Sequence, residues 1–269
     1  MTHLSDSWNT GDKYERFMGR WSNQVAMEFV DWLAIPPDSH WLEVGCGTGA
    51  LTRTFLQAAR PSSAFACDPS EEFIAYARAS LAHPALTFLA AGSDDLPHRD
   101  GGFDAIVSGL VFNFLPDPPG AARSMALRLA DGGTLAAYVW DYSEGMQFLR
   151  FFWDAALSLD PQATPLDEGR RFPICRPEAL ASLFHEAELH SVEVRPIEIK
   201  TVFSDFQEYW GPFLGGTGPG PSYVASLNAE AREALRRSLH ARLPNSSNGS
   251  IDLLARAWAV RGIAPARAV

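Results

Sequence analysis

The 269-residue sequence has little of several features that would fix its class at once. It holds only three cysteines, Cys46, Cys67 and Cys175. The count is odd and the spacing is not that of zinc ligands, so neither a disulfide framework nor a bound metal is expected, and a reducing, cytoplasmic setting follows. No apolar run approaches the roughly 18 residues that a membrane span requires. The polar opening MTHLSDSWNTGDKYERF shows no secretory leader. Long Lys/Arg runs are absent too, and the formal net charge is −10. A surface that tracks nucleic acid is therefore not expected. In the basic stretch REALRRSLHAR (232–242), Arg232, Arg236 and His240 are four apart and share one helix face, read as solvated. There is no internal repeat. The loop GGTGPGP (215–221) lacks the Gly-Lys-Ser/Thr ending of a phosphate loop and reads as a connection or a mobile lid.

What is present is a hydrophobic fraction of 46%, enough for one large domain or one domain with insertions. Residues 22–33 have helical spacing, and Pro36-Pro37-Asp38-Ser39 break the chain after them. HWLEV (40–44), SAFACD (63–68), ALTFLAA (85–91), FDAIVSG (103–109) and TLAAYVW (134–140) read as strands. Helices are expected between them at about 49–59, from Pro69-Ser70 to about Leu81, and at 117–130, the last ended by Asp-Gly-Gly (131–133). Such alternation indicates a parallel sheet covered on both faces. After Trp140 the pattern changes. Residues 141–175 are aromatic-rich and read as helical, 177–189 as a further helix, 190–203 as a strand, 204–247 as helical material and 250–260 as a late strand.

Gly45, Gly47 and Gly49 stand at alternate positions in WLEVGCGTGALT, between a strand and a helix. Glycine lets the backbone approach a ligand and tolerates positive φ. A helix beginning there aims its free N–H groups at the loop. Residues 45–50 formally satisfy G-x-G-x-x-A, the dinucleotide fingerprint. Asp68 ends the next strand, 23 residues after Gly45. A carboxylate there can accept from both ribose hydroxyls, as in folds that bind NAD; capping the next helix is the plainer role. Glu43 lies inside the first strand, where an unpartnered carboxylate would be costly, and is expected to brace the loop.

EVGCGTG with Asp68 resembles the first two motifs of class I S-adenosylmethionine-dependent methyltransferases. AGSDDLPHRDGGFDAIVSG (91–109) resembles the family's third-strand loop and fourth strand, and LRLADGGTLAAYVW (127–140) its helix, Gly-Gly turn and fifth strand. KYERFMGRWS (13–22) and SIDLLARAWAVRG (250–262) resemble a small-molecule branch more weakly; the middle, 141–249, resembles nothing nameable. The resemblance implies a doubly wound, seven-stranded, mostly parallel Rossmann-like α/β sheet with an antiparallel last strand. It also implies a cofactor-binding half at 1–140, with 141–175 and 204–247 as insertions that cap the substrate. The implied cofactor is S-adenosylmethionine. Gly45, Cys46 and Gly47 would line its methionine and ribose, Asp68 would hold the ribose, and Pro69 would lie against the adenine. Ser93 and Asp94 would stand at the adenine edge, although Gly92 falls where many relatives have an acidic residue. Ser108 and Leu110 would face the methionine amino group and sulfonium. Tyr14 and Arg20 are candidates for its carboxylate, since Arg offers a planar fork of donors.

Methyl transfer from a sulfonium is an in-line displacement that depends on alignment and water exclusion. Asp141, Tyr142, Glu144, His98, His185 and His190 are available as bases, and none of them is singled out. Phe112, Phe114, Trp140, Phe148, Phe152, Tyr209, Trp210 and Phe213 form either an apolar pocket for a small organic acceptor or a second small core. The implied partner is that small-molecule acceptor, without nucleic acid or membrane, on a monomer or homodimer. The competing readings are an NAD(P)-binding oxidoreductase and a cofactor-binding protein without activity.

Overall fold

The computed structural model describes residues 20–215, 218–244 and 246–266. Helix α1 (Arg20–Leu33) leads into β1 (His40–Val44), followed by α2 (Ala50–Ala58), β2 (Ser63–Asp68), α3 (Glu71–Ser80), β3 (Leu86–Ala90) and β4 (Phe103–Gly109). Next come α4 (Pro118–Ala126), β5 (Leu129–Trp140), α5 (Gln147–Leu159), α6 (Glu168–Arg171) and α7 (Pro177–Glu186). The chain ends with β6 (His190–Phe203), α8 (Phe206–Trp210), α9 (Pro219–Ser226), α10 (Ala229–Arg242) and β7 (Ile251–Ile263). The strands form one sheet in the order β3-β2-β1-β4-β5-β7-β6.

β1 pairs in parallel with β2 and β4, β2 with β3, and β4 with β5. β7 runs the other way. Gly132 and Gly133 bond to Ala264 at one end of β5, whereas Asp141 bonds to Arg256 beyond the other. As numbering rises along β5 its partner's falls, so the pair is antiparallel. This is the seven-stranded Rossmann-like sheet of methyltransferases, with the antiparallel last strand that the sequence implied.

One expected boundary moves. The helix after β4 stops at Ala126 rather than near residue 130, and β5 begins at Leu129, ahead of Asp-Gly-Gly. β4 advances from Phe103 to Ala105 while its partner advances from Leu129 to Thr134, so three surplus residues bulge from β5. Gly102 and Gly133 make the bulge possible. A Cβ on Gly102, at φ +78, would stand 2.5 Å from the Leu129 carbonyl carbon, and one on Gly133 would stand 2.7 Å from the Phe103 carbonyl oxygen. The expected loop at 215–221 is also part helix: Gly218 at φ 87 precedes Pro219, which opens α9.

The chain divides into two compact units. One comprises residues 22–139, 174–197 and 257–266. Its core includes Trp41 stacked on Phe55, with ring centroids 4.8 Å apart, and Phe29 against Tyr138. Among the described residues, the other comprises 20–21, 140–173 and those of 198–256. Its centre is a stack of rings. Phe152 and Phe213 lie 4.2 Å apart with planes only 6° off parallel, and Phe148 lies 4.7 Å from Phe213. The Tyr209 hydroxyl donates to the Phe148 carbonyl at 2.7 Å. No ligand ring fits between faces this close, so these four aromatics form a second core rather than an open pocket. On α10, Arg236 and His240 lie on the Phe206 ring, so the basic face is packed there and not merely solvated. Among the described residues, no helix is long and apolar enough to cross a membrane.

Gly249 provides a control for the bulge, because its φ is +85 and nothing lies within 4 Å of where a Cβ would stand. Gly249→Ala is expected to cost about 1–2 kcal/mol of backbone strain. Gly102→Ala is expected to cost at least about 2 kcal/mol more, since a main-chain carbonyl cannot give way. Urea unfolding of both variants checks the ordering.

Candidate functional site

The carboxyl ends of β1 and β2 lie side by side, with Val44 in register with Cys67. In open α/β sheets this edge is where ligands bind. The chain leaves β1 through Gly45, Cys46, Gly47, Thr48 and Gly49 before α2 begins at Ala50. All three glycines have left-handed φ, at 79°, 50° and 87°. Their surroundings differ. A Cβ on Gly45 would press into the Val111 side chain, with Cγ1 at 2.8 Å, whereas nothing stands within 4 Å of the same point on Gly47. Gly45 thus closes the loop against the segment after β4, and Gly47 leaves open space for an approaching group.

The loop is tied to the end of β2. The N–H groups of Gly45 and Cys46 both donate to the Cys67 carbonyl, at 2.7 and 2.9 Å. The Gly47 N–H donates to Asp68 Oδ2 at 2.9 Å, and the Ser70 N–H donates to Oδ1 at 2.9 Å. Ser70 itself caps α3 by accepting from the Phe73 N–H. Asp68 therefore spans loop and helix while each oxygen keeps a second lone pair. Burial raises its pKa, against the lowering effect of these two N–H donors.

Glu43 is buried in β1 and accepts a hydrogen bond from the Thr52 hydroxyl in α2, a partner that the sequence reading did not name. The bond crosses the glycine loop from strand to helix. Burial, with a smaller contribution from the Asp68 charge, pushes the Glu43 carboxyl up to about 8, so at neutral pH it is mostly neutral. Cys46 and Cys67 are buried small hydrophobes; burial pushes the Cys67 thiol up to about 12 and Cys46 higher still, which leaves both unreactive.

The other sequence candidates fall as follows. Pro69 and Asp94 are exposed, and Ser93 is half-buried, its carbonyl accepting from the Ser124 hydroxyl. Ser108 is fully buried, and its hydroxyl donates to the Val44 carbonyl at 2.8 Å, joining β4 to β1. Leu110 turns the chain at φ 62, with its N–H on the Tyr138 carbonyl. Tyr14 lies outside the described residues; Arg20 opens α1, and its side chain is not described. Phe112 is buried against Phe184, and Phe114 is exposed. Asp141 accepts from Arg256, Ser143 and the Glu144 N–H, and these bonds hold its pKa low. His98, His185 and His190 are exposed.

This strand order separates the sheet from that of a dinucleotide-binding fold. An all-parallel dinucleotide fold has the order 3-2-1-4-5-6 without an inserted antiparallel strand. Residues 42–137 match the family described as "Methyltransferase domain". Over these residues the chain is similar to class I S-adenosylmethionine-dependent methyltransferases. It is 31% identical over 127 residues to the biotin biosynthesis bifunctional protein BioCD of Bordetella avium, covering 46% of this chain and 27% of that one. It is 29% identical over 133 residues to trans-aconitate 2-methyltransferase of Deinococcus radiodurans, covering 49% of each. A tRNA methyltransferase 9B from Mus musculus, described as probable, is 33% identical over 107 residues, covering 39% of this chain and 22% of that one. Among solved structures, the YcgJ protein of Bacillus subtilis superposes with a TM-score of 0.59 at 15% identity, covering 91% of this chain and 99% of that one. The matched region spans less than half the length of the first two relatives.

The raised Glu43 pKa makes a stability prediction. A carboxyl whose pKa rises from 4.5 to about 8 on folding adds stability that is full below pH 4.5 and is lost as pH rises towards 8. Glu43→Gln keeps an oxygen for Thr52 and removes the titration. Its stability relative to wild type should therefore climb between pH 4.5 and 8, by about 1.4 kcal/mol per pH unit at most, and flatten above. Denaturant unfolding at pH 5, 6.5 and 8 measures this.

Proposed function

We propose that this protein transfers the methyl group of S-adenosylmethionine to a small organic acceptor. The observation that carries the reading is the Asp68 carboxylate, anchored by the Gly47 and Ser70 N–H groups beside the open space over Gly47. The residues suit the cofactor. Asp68 would hold the ribose hydroxyls, while Gly45, Cys46 and Gly47 would present backbone to its ribose and methionine. Pro69, Ser93 and Asp94 would border the adenine, and Ser108 and Leu110 would flank the methionine end through β4 backbone, since the Ser108 hydroxyl is spent inside the sheet. Tyr14 and Arg20 would meet the methionine carboxylate. The cofactor supplies an electrophilic methyl group; the chain's own task is to orient it and keep water away.

A small acceptor is favoured over RNA by the net charge of −10 and the absence of a basic run. The relative named for trans-aconitate supports the same reading. The segments 141–175 and 204–247 would supply the acceptor side, on a monomer or homodimer.

Asp68→Ala should weaken S-adenosylhomocysteine by about 10- to 100-fold, the usual worth of hydrogen bonds to a charged group. Calorimetry of wild type and variant checks this. Wild-type protein that binds NAD but not S-adenosylhomocysteine would overturn the proposal.

A further inference from the structure

Two carboxyl groups converge on the glycine loop from neighbouring strands. Asp68, at the end of β2, holds the Gly47 N–H. Glu43, two residues before Gly45, sits at the root of the loop and accepts from the Thr52 hydroxyl in α2. Glu43 and Thr52 are both buried. The two acids are close enough for the Asp68 charge to act on Glu43.

The surroundings of Glu43 decide its charge. β2 contributes Asp68 and the Cys67 thiol, and the loop contributes the Cys46 thiol. β4 sets Val107 opposite, and α2 sets Thr52. Among the described residues no cation bonds to Glu43. Shut away from water, with one neutral donor and a second acid nearby, the carboxyl is held in its protonated form. A positive charge brought to the loop would favour its ionisation.

The two forms of the cofactor differ in that respect. S-Adenosylmethionine carries a sulfonium, and S-adenosylhomocysteine has a neutral thioether at the same place. They share every other group and fill the seat alike. Resting on the methyl-transfer reading above, we propose that Glu43 makes the seat sense the charge on the cofactor's sulfur, being more readily ionised with the sulfonium bound than with the thioether, so that rising pH selects the methyl donor over the product. The proton exchanges with solvent, and Glu43 need not touch the cofactor. A cation that favours the ionised carboxyl binds more tightly, by linkage, to the ionised protein. The preference for the methyl donor is therefore flat while Glu43 stays protonated in both complexes and climbs as pH rises through its titration.

The test measures, by calorimetry on the full chain at pH 6, 7 and 8.5, the dissociation constants of both compounds. In wild type the ratio of the S-adenosylhomocysteine constant to the S-adenosylmethionine constant should rise with pH. Glu43→Gln keeps an oxygen for Thr52 and removes the titration; relative to it, the wild-type ratio should gain about three- to tenfold over this range. The ligands' own α-amino groups, which titrate at about pH 8, act in both proteins and cancel. A thermal melt verifies that the variant folds.

The second readout is the side-chain carboxyl resonance of Glu43 in wild type labelled with ¹³C-glutamate, assigned by its loss in Glu43→Gln. It should titrate at a lower pH with S-adenosylmethionine bound than with S-adenosylhomocysteine. Glu168 is the other glutamate that burial raises. Should Glu43→Gln not fold, the Glu43 resonance is the high-titrating one that survives in Glu168→Gln. A wild-type ratio that runs parallel to the variant's would overturn the proposal. So would a Glu43 resonance that titrates at the same pH in both complexes, or one already ionised at pH 6 in the free protein. Wild type that binds neither compound would instead remove the function reading beneath it.

Discussion

The site depends on the Asp68 carboxylate accepting the Gly47 N–H with one oxygen and the Ser70 N–H with the other. A loop with three left-handed residues has no ladder of its own to hold it. It is held instead by the end of β2, through the Cys67 carbonyl and the Asp68 side chain. That attachment exists only because β1 and β2 are adjacent and parallel, with Val44 opposite Cys67. Sheet register and loop shape are thus one constraint. The carboxylate that shapes the loop also keeps a second lone pair on each oxygen, at the edge of the sheet.

A second carboxyl, Glu43, stabilises the same loop from below through Thr52. Two ionised carboxylates this near would repel each other, and burial resolves the conflict by keeping Glu43 mostly protonated. The negative charge of the seat then resides on Asp68, at the edge where a ligand arrives. A sulfonium nucleoside, cationic at its reacting centre, is compatible with that charge. Glycine supplies the rest of the fit: Gly45 is pressed by Val111, which locks the segment after β4 against the loop, while Gly47 is left clear.

Much of this was legible in the sequence because its signals are local. Alternating strands and helices, a G-x-G-x-G turn and an acid at the end of the next strand each occupy a few consecutive residues. What was not legible depended on distant partners. Thr52 stands in a helix whose apolar spacing says nothing of Glu43, nine positions earlier. Asp-Gly-Gly looked like a helix stop, yet it bulges within β5 because Gly102 and Gly133 let the main chains close together. The aromatic residues after Trp140 gave either a pocket or a core, and only the parallel stacking of Phe152 on Phe213 decides for the core. The resemblance implies that Ser108 faces the ligand, and nothing in its local sequence shows that its hydroxyl bonds the neighbouring strand.

Charge also sets the state of two buried acids in the unit that contains residues 140–173. Asp141, just past β5, accepts from Arg256, from Ser143 and from a backbone N–H, bonds that favour its ionised form and hold it as a structural anion. Glu168, the other strongly perturbed carboxyl in that unit, is pushed up to about 7 by burial, and its oxygen is taken by the Trp153 indole N–H. Both of these acids are spent on holding the fold together.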